Sequence, residues 1–179
     1  GGYKVLNIEE LDNILREHLL WLDTNTKEGE IANLSGDNLE GYDLSNANLK
    51  KADLRCSSLK KSDLRDVNLR GANLRGADLS YADLSYSYLK DADLRKADFK
   101  GANLETSDLS YADLTGSYLI GAHLNRADLR KANLTGADLR KANLIYADLS
   151  DADLTRANLK GADLSGVNLE GAKLEGTKF

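Results

Sequence analysis

Leucine recurs at every fifth position through most of the chain. From Leu34 to Phe179 there are 30 such positions, of which 28 carry leucine and two, Phe99 and Phe179, carry phenylalanine. A period of five matches neither the 3.6-residue period of an α-helix nor the two-residue period of a plain strand. Each five-residue unit is therefore predicted to be a short extended segment followed by an obligatory turn.

The residues before each leucine alternate in character. The position two before it is almost always small, as at Ala32, Ala47 and Ala52, and the position directly before it is Asp in 14 units and Asn in 10. Side chains of an extended segment point alternately to its two sides. The leucine and the small residue are therefore predicted to face inward, and the polar residue to face outward.

The remaining two positions of each unit form a corner. All 12 glycines of the repeat stand at the second corner position, where a type II turn needs a positive φ. Other units place a larger residue there, and we expect those corners to use a second turn type with a negative φ. Examples of such residues are Lys51, Tyr81, Asp91, Lys131 and Arg156.

The repeated pattern A-[DN]-L-x-x resembles that of the pentapeptide-repeat proteins, as units 72–76 (ANLRG) and 77–81 (ADLSY) illustrate. The resemblance covers residues 31–179. It implies an all-β solenoid, a right-handed quadrilateral β-helix with four units in each coil, so that residues 20 apart stack. At a strand spacing of about 4.8 Å, about seven coils make a rod about 35 Å long. Asp37 and Tyr42 replace the small inward residue, so the first coil is expected to be irregular.

The first 30 residues are a different kind of sequence. Asn7 and Glu10 have the spacing of a helix capping box, and a helix is predicted from about Ile8 to Leu22. Its apolar face is predicted to comprise Ile8, Leu11, Leu15, Leu19 and Leu22. We expect residues 1–30 to form an α-helical cap and connector on the end of a β-helix of residues 31–179, together making one domain.

Candidate catalytic chemistry is sparse. The outward Asp residues recur because the repeat recurs, so neighbouring carboxylates are not evidence for acid–base catalysis. His18 and His123 have no ligand cluster at metal spacing, and Cys56 has no second cysteine to pair with. We expect no enzymatic activity, no metal, no cofactor and no membrane segment, and a bacterial-type cytoplasmic location.

Charge and tyrosine vary against the constant repeat and give the candidate partner surface. Residues 1–31 carry a net charge of −4 and the repeat only −1, but residues 47–76 carry +5. Tyrosines concentrate in the middle units, and tyrosine is enriched at protein interfaces. The candidate surface residues are Lys50, Lys51, Arg55, Lys60, Lys61, Arg65, Arg70, Arg75, Tyr81, Tyr86, Tyr88, Tyr111 and Tyr118.

The repeat continues to Phe179 with no helix or proline after it. An uncovered coil presents unpaired backbone groups and apolar side chains, which favour pairing with another copy. We therefore expect a homodimer through the C-terminal coils. The candidate residues for that end are Leu159, Leu164, Leu169, Leu174 and Phe179.

Three functions remain open. The first is a protein-interaction or scaffolding module that presents patterned β-helix faces to an unidentified protein partner. The second comes from the resemblance, because some pentapeptide-repeat proteins act as acidic DNA mimics on type II topoisomerases such as gyrase. A rod of net charge −1 with a +5 band suits that role poorly. The third, nucleic-acid binding through the basic band, is disfavoured relative to the first.

Overall fold

The structure, a computed structural model, describes residues 2–179. Its regular elements are strand β1 (Lys4–Val5), helix α1 (Ile8–Asp23) and strand β2 (Asp37–Asn38). The predicted helix is confirmed and ends one residue later than expected. Its capping box is present, because the Asn7 side chain accepts the Glu10 N–H at 2.8 Å and the Glu10 carboxylate accepts the Asn7 N–H at 3.2 Å.

From residue 31 onward the chain forms coils that repeat every 20 residues. Parallel bridges join each outward residue to the one 20 positions later, from Asn33↔Asp53 to Asn158↔Lys178. Backbone hydrogen bonds follow the same offset: the Leu89 N–H donates to the Asp108 carbonyl at 2.7 Å. Four five-residue units fill each 20-residue repeat, so the rod has four faces, as the resemblance implies.

Every corner between two units has the same backbone geometry. The second corner residue has a positive φ at all 12 glycines and also at Lys51, Tyr81, Asp91, Lys131 and Arg156, where φ lies between 57° and 63°. The first corner residue does not have a positive φ, so the turns are of type II throughout. The prediction of a second turn type with a negative φ is therefore wrong. Stacked coils impose one corner geometry, whatever side chain stands there.

The core consists of stacked leucine and alanine ladders. Leu34, Leu64, Leu94 and Leu129 are 0% exposed, and Phe99 is accommodated in the same ladder as the leucines. The prediction that the leucine and the small residue face inward is confirmed. The ladder loses its cover only in the last 20 residues, where the exposed fraction of Leu174 rises to 39%.

At the N-terminal end, residues outside the repeat cover the first coil. Strand β1 pairs in parallel with β2, with Lys4 opposite Asp37. The Tyr42 hydroxyl donates to the backbone carbonyl of Leu6, which is itself 1% exposed. The two residues that break the repeat pattern, Asp37 and Tyr42, are therefore the ones that receive the N-terminal segment.

Helix α1 turns a different face to the core from the one predicted. Leu11 and His18 are buried, and Ile14 and Leu15 pack against the core. In contrast, Ile8 is 68% exposed and Leu19 is 44% exposed, so their assignment to the inward face is wrong. The inward stripe includes a histidine because the imidazole Nδ1 accepts the Ala32 backbone N–H at 3.0 Å.

Candidate functional site

The outward Asp and Asn side chains have a structural task. In each unit that carries one, the side-chain Oδ1 accepts the backbone N–H of the residue two positions later, as in Asp78 with Ser80 at 2.9 Å and Asn48 with Lys50 at 3.2 Å. All 24 of these residues make this contact. It is the Asx turn that these two residue types form readily. The outward carboxylates are therefore used to hold the corners.

Arginine at the first corner position pairs with an aspartate two residues before it. Arg55 binds Asp53 through Nε at 2.9 Å and through a terminal nitrogen at 2.6 Å, and this hydrogen-bonded pair holds the pKa of Asp53 below its ordinary range. Four further pairs repeat the geometry: Arg65 with Asp63, Arg95 with Asp93, Arg130 with Asp128 and Arg140 with Asp138. A charge counted as basic in the sequence is locally compensated wherever the unit reads D-L-R.

Arg70 and Arg75 follow asparagine in place of aspartate. No carboxylate within residues 2–179 lies within 4.0 Å of either guanidinium group. These two cations of the basic band are therefore not locally compensated, whereas Arg55 and Arg65 are.

The band of eight basic residues is distributed around the rod. The 20-residue stacking places Lys50 and Lys51 on the same corner as Arg70, and the other five residues on the three remaining corners. Arg55 and Arg75 share one corner, Lys60 and Lys61 share the next, and Arg65 lies on the fourth. Only the first group combines stacked cations with a depression in the surface.

That depression is an open groove along one corner. Its N-terminal part has a volume of about 640 Å³ and is lined by Lys50, Lys51, Arg70, Gly71, Lys90, Asp91 and Asp108. It shares Lys90 and Asp108 with a second part of about 540 Å³, whose other lining residues are Ser110, Tyr111, Arg130, Lys131, Ser150 and Asp151. We call the surface formed by Lys50, Lys51, Arg70, Lys90, Arg130 and Lys131 the basic groove.

Sequence reasoning found three of the six cations of the basic groove and missed the others. Lys90, Arg130 and Lys131 fall outside the window of residues 47–76. The signal that would have found them is spacing: Lys50, Arg70, Lys90 and Arg130 differ by multiples of 20. Net charge in a window of consecutive residues samples all four faces and hides such a line.

The candidate tyrosines divide between this corner and others. The ring of Tyr88 lies 4.5 Å from the Arg70 guanidinium carbon, and the ring of Tyr111 lies 5.4 Å from the ammonium groups of both Lys90 and Lys131. These two rings belong to the basic groove and support its cations through cation–π contacts. The other three candidates, Tyr81, Tyr86 and Tyr118, are exposed on other faces of the rod.

One of those other tyrosines explains a glycine. The Tyr81 ring lies over Gly101 in the next coil, where a Cβ atom would stand only 2.7 Å from two ring carbons. Tyr146 lies over Gly166 in the same way, with a ring carbon 2.4 Å from such a Cβ position. A tyrosine at a corner thus restricts the residue 20 positions later.

The histidines and the cysteine form no reactive cluster. His18 stacks on Trp21 with ring centroids 5.7 Å apart, and burial lowers its pKa. Its Nε2 is buried with no hydrogen-bond partner in residues 2–179. Cys56 is exposed at a corner, and His123 is exposed on an outward position.

Two further searches of the structure gave negative results. Within residues 2–179, no group of three or more His, Cys, Asp or Glu side chains is placed to hold a metal ion. Over the same part of the chain, no helix has both the length and the apolar character needed to cross a membrane.

The repeat pattern and the coil geometry can be compared with known proteins. The family model described as "Pentapeptide repeats (8 copies)" matches residues 32–71, 72–110, 107–144 and 142–179. The chain belongs to the pentapeptide repeat family. A search of the curated proteins gave no match.

Solved pentapeptide repeat structures are similar to this chain. HetL, involved in heterocyst differentiation regulation in the cyanobacterium Nostoc sp. strain PCC 7120, is 35% identical, with 82% of this chain and 73% of HetL covered and a TM-score of 0.45. QnrB1, a plasmid-mediated fluoroquinolone resistance protein, is 21% identical, with 80% and 78% covered and a TM-score of 0.72. The likeness to QnrB1 concerns the fold, and these neighbours imply the right-handed β-helix of the family.

The C-terminal end of this pentapeptide repeat chain is its least covered part. Leu159 is still 2% exposed, Leu164 and Leu169 are partly buried, Leu174 is 39% exposed and Phe179 is 62% exposed. The backbone N–H groups of Leu164 and Leu169 have no acceptor in residues 2–179, whereas the Leu159 N–H donates to the Lys178 carbonyl. This end therefore presents both apolar side chains and unpaired backbone groups.

Proposed function

We propose that this pentapeptide repeat chain is a non-enzymatic protein-interaction module that presents the patterned faces of its β-helix to a protein partner. The observation that carries the proposal is the use of all 24 outward Asp and Asn side chains in turns of their own units. Hydrogen bonds from Ser165 hold the pKa of Asp163 below its ordinary range, for example. A carboxylate that stays ionised at neutral pH cannot supply a proton as a general acid.

Within this proposal the rod is a rigid body of about seven coils, with residues 1–30 as its N-terminal cap. The 20-residue offset of the bridges supports the coil count, and the packing of Leu11 and Ile14 against the core supports the cap. A rigid rod of this kind holds corner side chains at fixed spacing. Such preorganisation lowers the entropic cost of binding a partner.

The distribution of charge argues against a role as a DNA mimic. Mimicry of a duplex requires a continuous negative potential, and the repeat region carries a net charge of only −1. The basic groove adds a line of cations on one corner. We therefore expect this chain not to occupy the DNA site of a topoisomerase.

We further propose that the C-terminal coil pairs with the same coil of a second copy. Supporting observations are the exposed Leu174 and Phe179 and the Leu164 and Leu169 N–H groups that lack acceptors in residues 2–179. Pairing would cover the apolar end of the ladder and satisfy backbone groups at once. Light scattering over a range of protein concentrations tests this pairing, and a mass that stays monomeric at high concentration contradicts it.

The protein-interaction proposal is tested by affinity capture followed by binding with purified components. The immobilised chain should retain a protein from its native cell, and the purified protein should bind in calorimetry with a defined stoichiometry. A control chain with Leu94→Asp, which places a charge in the buried ladder, should not fold and should retain nothing specific. Failure to obtain any stoichiometric protein complex contradicts the proposal.

A supercoiling assay tests the alternative role as a DNA mimic. We expect no inhibition of gyrase, and no protection of gyrase from a fluoroquinolone, when the chain is added up to the micromolar range. Inhibition or protection at submicromolar protein would replace the proposal with topoisomerase-directed mimicry. A salt-sensitive shift of duplex DNA in a gel would favour nucleic-acid binding instead.

A further inference from the structure

The basic groove is a line of cations with a fixed axial spacing. Lys50, Arg70 and Lys90 occupy the same corner position in three successive coils, and Arg130 occupies it two coils later. At about 4.8 Å per coil, the span from Lys50 to Arg130 is about 19 Å. All four side chains are exposed. The groove therefore offers a straight track of positive charge along the rod axis.

Most of these cations lack a carboxylate partner. Within residues 2–179, Lys50, Lys51, Arg70, Lys90 and Lys131 take part in no ion pair within 4.0 Å. This contrasts with the D-L-R units, where the arginine is held by its own aspartate. The groove thus keeps its positive charge available at its surface.

The aromatic rings in the groove are occupied by those same cations. Arg70 covers Tyr88, and Lys90 and Lys131 both approach Tyr111. Single-stranded nucleic acid is usually bound by stacking of its bases on uncovered aromatic faces. Asp91, Asp108 and Asp151 also line the groove and would oppose a continuous row of phosphates. The groove therefore fits a partner with discrete, spaced negative charges better than it fits a nucleic acid.

We propose that the basic groove is the docking site for an extended acidic segment of the protein partner, a proposal that rests on the interaction role inferred above. An extended peptide rises about 3.3 Å per residue, so about six residues match the 19 Å track. Alternate side chains of such a segment point to the same side, so Glu or Asp at every second position would face the cations. Residues between them face solvent, and serine or other small residues there would clear the groove walls.

A direct binding measurement with a defined probe tests this docking site. The probe is a fluorescein-labelled peptide of alternating glutamate and serine, about twelve residues long so that it exceeds the track. Anisotropy is measured at physiological ionic strength with the full chain. The groove variant replaces Lys50, Arg70 and Lys90 with Gln. The matched control variant replaces Lys60, Lys100 and Lys160 with Gln, which removes the same charge from the corner half a coil away.

We expect the groove variant to bind the peptide at least about tenfold more weakly than the unaltered chain, and the control variant to differ by less than about twofold. Thermal melts of both variants should match that of the unaltered chain, because all six residues lie at the surface. An equal loss in both variants would overturn the proposal, since it would mean that only net charge matters. The absence of peptide binding, or tighter binding of a single-stranded oligothymidine of similar length, would also overturn it.

The same variants separate this proposal from the interaction role on which it rests. If the purified partner binds the unaltered chain but not the groove variant, the docking site is supported. If the partner binds both equally well, the docking site is wrong and the interaction role stands. If no partner binds the unaltered chain, the interaction role itself fails.

Discussion

The two ends of the rod differ in how the leucine ladder is closed. At the N-terminal end, strand β1 and helix α1 cover the first coil, so that Leu6 is 1% exposed and Leu34 is 0% exposed. At the C-terminal end the repeat simply reaches Phe179, which is 62% exposed. The interior sequence of the two ends is nearly the same. What differs is the residues outside the pattern.

This comparison shows that a repeat stabilises its middle but not its own ends. In the middle, each coil receives hydrogen bonds from one neighbour and donates to the other, as Leu89 does with Asp108. An end coil lacks one neighbour, and its backbone groups must find other partners. At the N-terminal end the Lys4 N–H donates to the Gly36 carbonyl at 3.1 Å, so two residues of β1 replace a whole coil.

The largest expected effect comes from placing the same charge at both ends. Leu11→Asp buries a carboxylate between α1 and the first coil, because Leu11 is only 5% exposed. We expect the free energy of unfolding to fall by at least about 3 kcal/mol. Leu174→Asp, at a side chain that is 39% exposed, should cost about 1 kcal/mol or less. Urea denaturation of the two variants measures both values, and equal losses would mean that the ends are equivalent.

A smaller effect is expected from removing one hydroxyl at the covered end. Tyr42→Phe deletes the donor to the Leu6 carbonyl and leaves that carbonyl without this partner, which should cost about 1 kcal/mol. Tyr118→Phe is the matched control, since Tyr118 is 50% exposed and its hydroxyl makes no hydrogen bond within residues 2–179. The control should stay within about 0.5 kcal/mol. If both changes are silent in denaturant unfolding, the Tyr42 contact does not hold β1 in place.

The covered end should also respond to pH through His18. Burial lowers the pKa of this imidazole, so it is neutral in the folded and unfolded chain above its ordinary pKa of about 6.5. As pH falls below that value, the unfolded chain binds a proton first, and the stabilisation from the neutral buried ring is lost. Burial raises the pKa of Asp37, which acts in the opposite direction because its folded form holds a proton to higher pH.

The His18→Asn variant isolates the contribution of the histidine. Asparagine offers an amide oxygen to the Ala32 N–H but does not titrate. We expect the melting temperature of the unaltered chain to fall more steeply than that of the variant between about pH 7 and pH 5. Parallel melting curves over that range would mean that His18 does not titrate there in the folded protein.

The smallest expected effect on stability comes from the uncovered end. Phe179→Ser removes an exposed ring and should change the free energy of unfolding by no more than about 0.5 kcal/mol at low protein concentration. The same change should weaken association at high concentration, because the ring belongs to the proposed pairing surface. Sedimentation at several concentrations separates the two effects. A variant that associates as well as the unaltered chain would exclude Phe179 from that surface.

The period of five made most of this fold predictable. It assigned Leu34 and the ladder that follows to the interior, and the capping box at Asn7 located the start of α1. Periodic sequence is informative because each position repeats the same environment, so one physical argument applies many times. The family resemblance then supplied the number of units in a coil, which local alternation alone does not determine.

The errors lie where a residue departs from its usual environment. Lys51 and Tyr81 adopt a positive φ, which side chains other than glycine seldom do, because the hydrogen bonds of stacked coils favour that corner. His18 is buried, although polar residues usually mark an exposed helix face, because its ring accepts a backbone N–H. Strand β1 is only two residues long, too short to show any alternation. None of these features has a local sequence signal.

The candidate site was harder to predict than the fold for the same geometric reason. Lys50 and Lys90 are 40 residues apart in sequence but lie on one corner. A search for charge along consecutive residues therefore found a band around the rod, while sorting by multiples of 20 finds the basic groove. The bidentate pair of Arg55 with Asp53 was also missed, although the D-L-R pattern would have predicted it.

The 20-residue register also limits how such a chain can change in length during evolution. Insertion of one five-residue unit between Arg70 and Lys90 would rotate every later side chain by a quarter turn, moving Lys90 to the neighbouring corner. Insertion of four units would lengthen the rod by about 4.8 Å and leave each corner aligned. Relatives that conserve a corner surface should therefore differ in length by whole coils, and those that differ by single units should have lost that surface or rebuilt it on another corner.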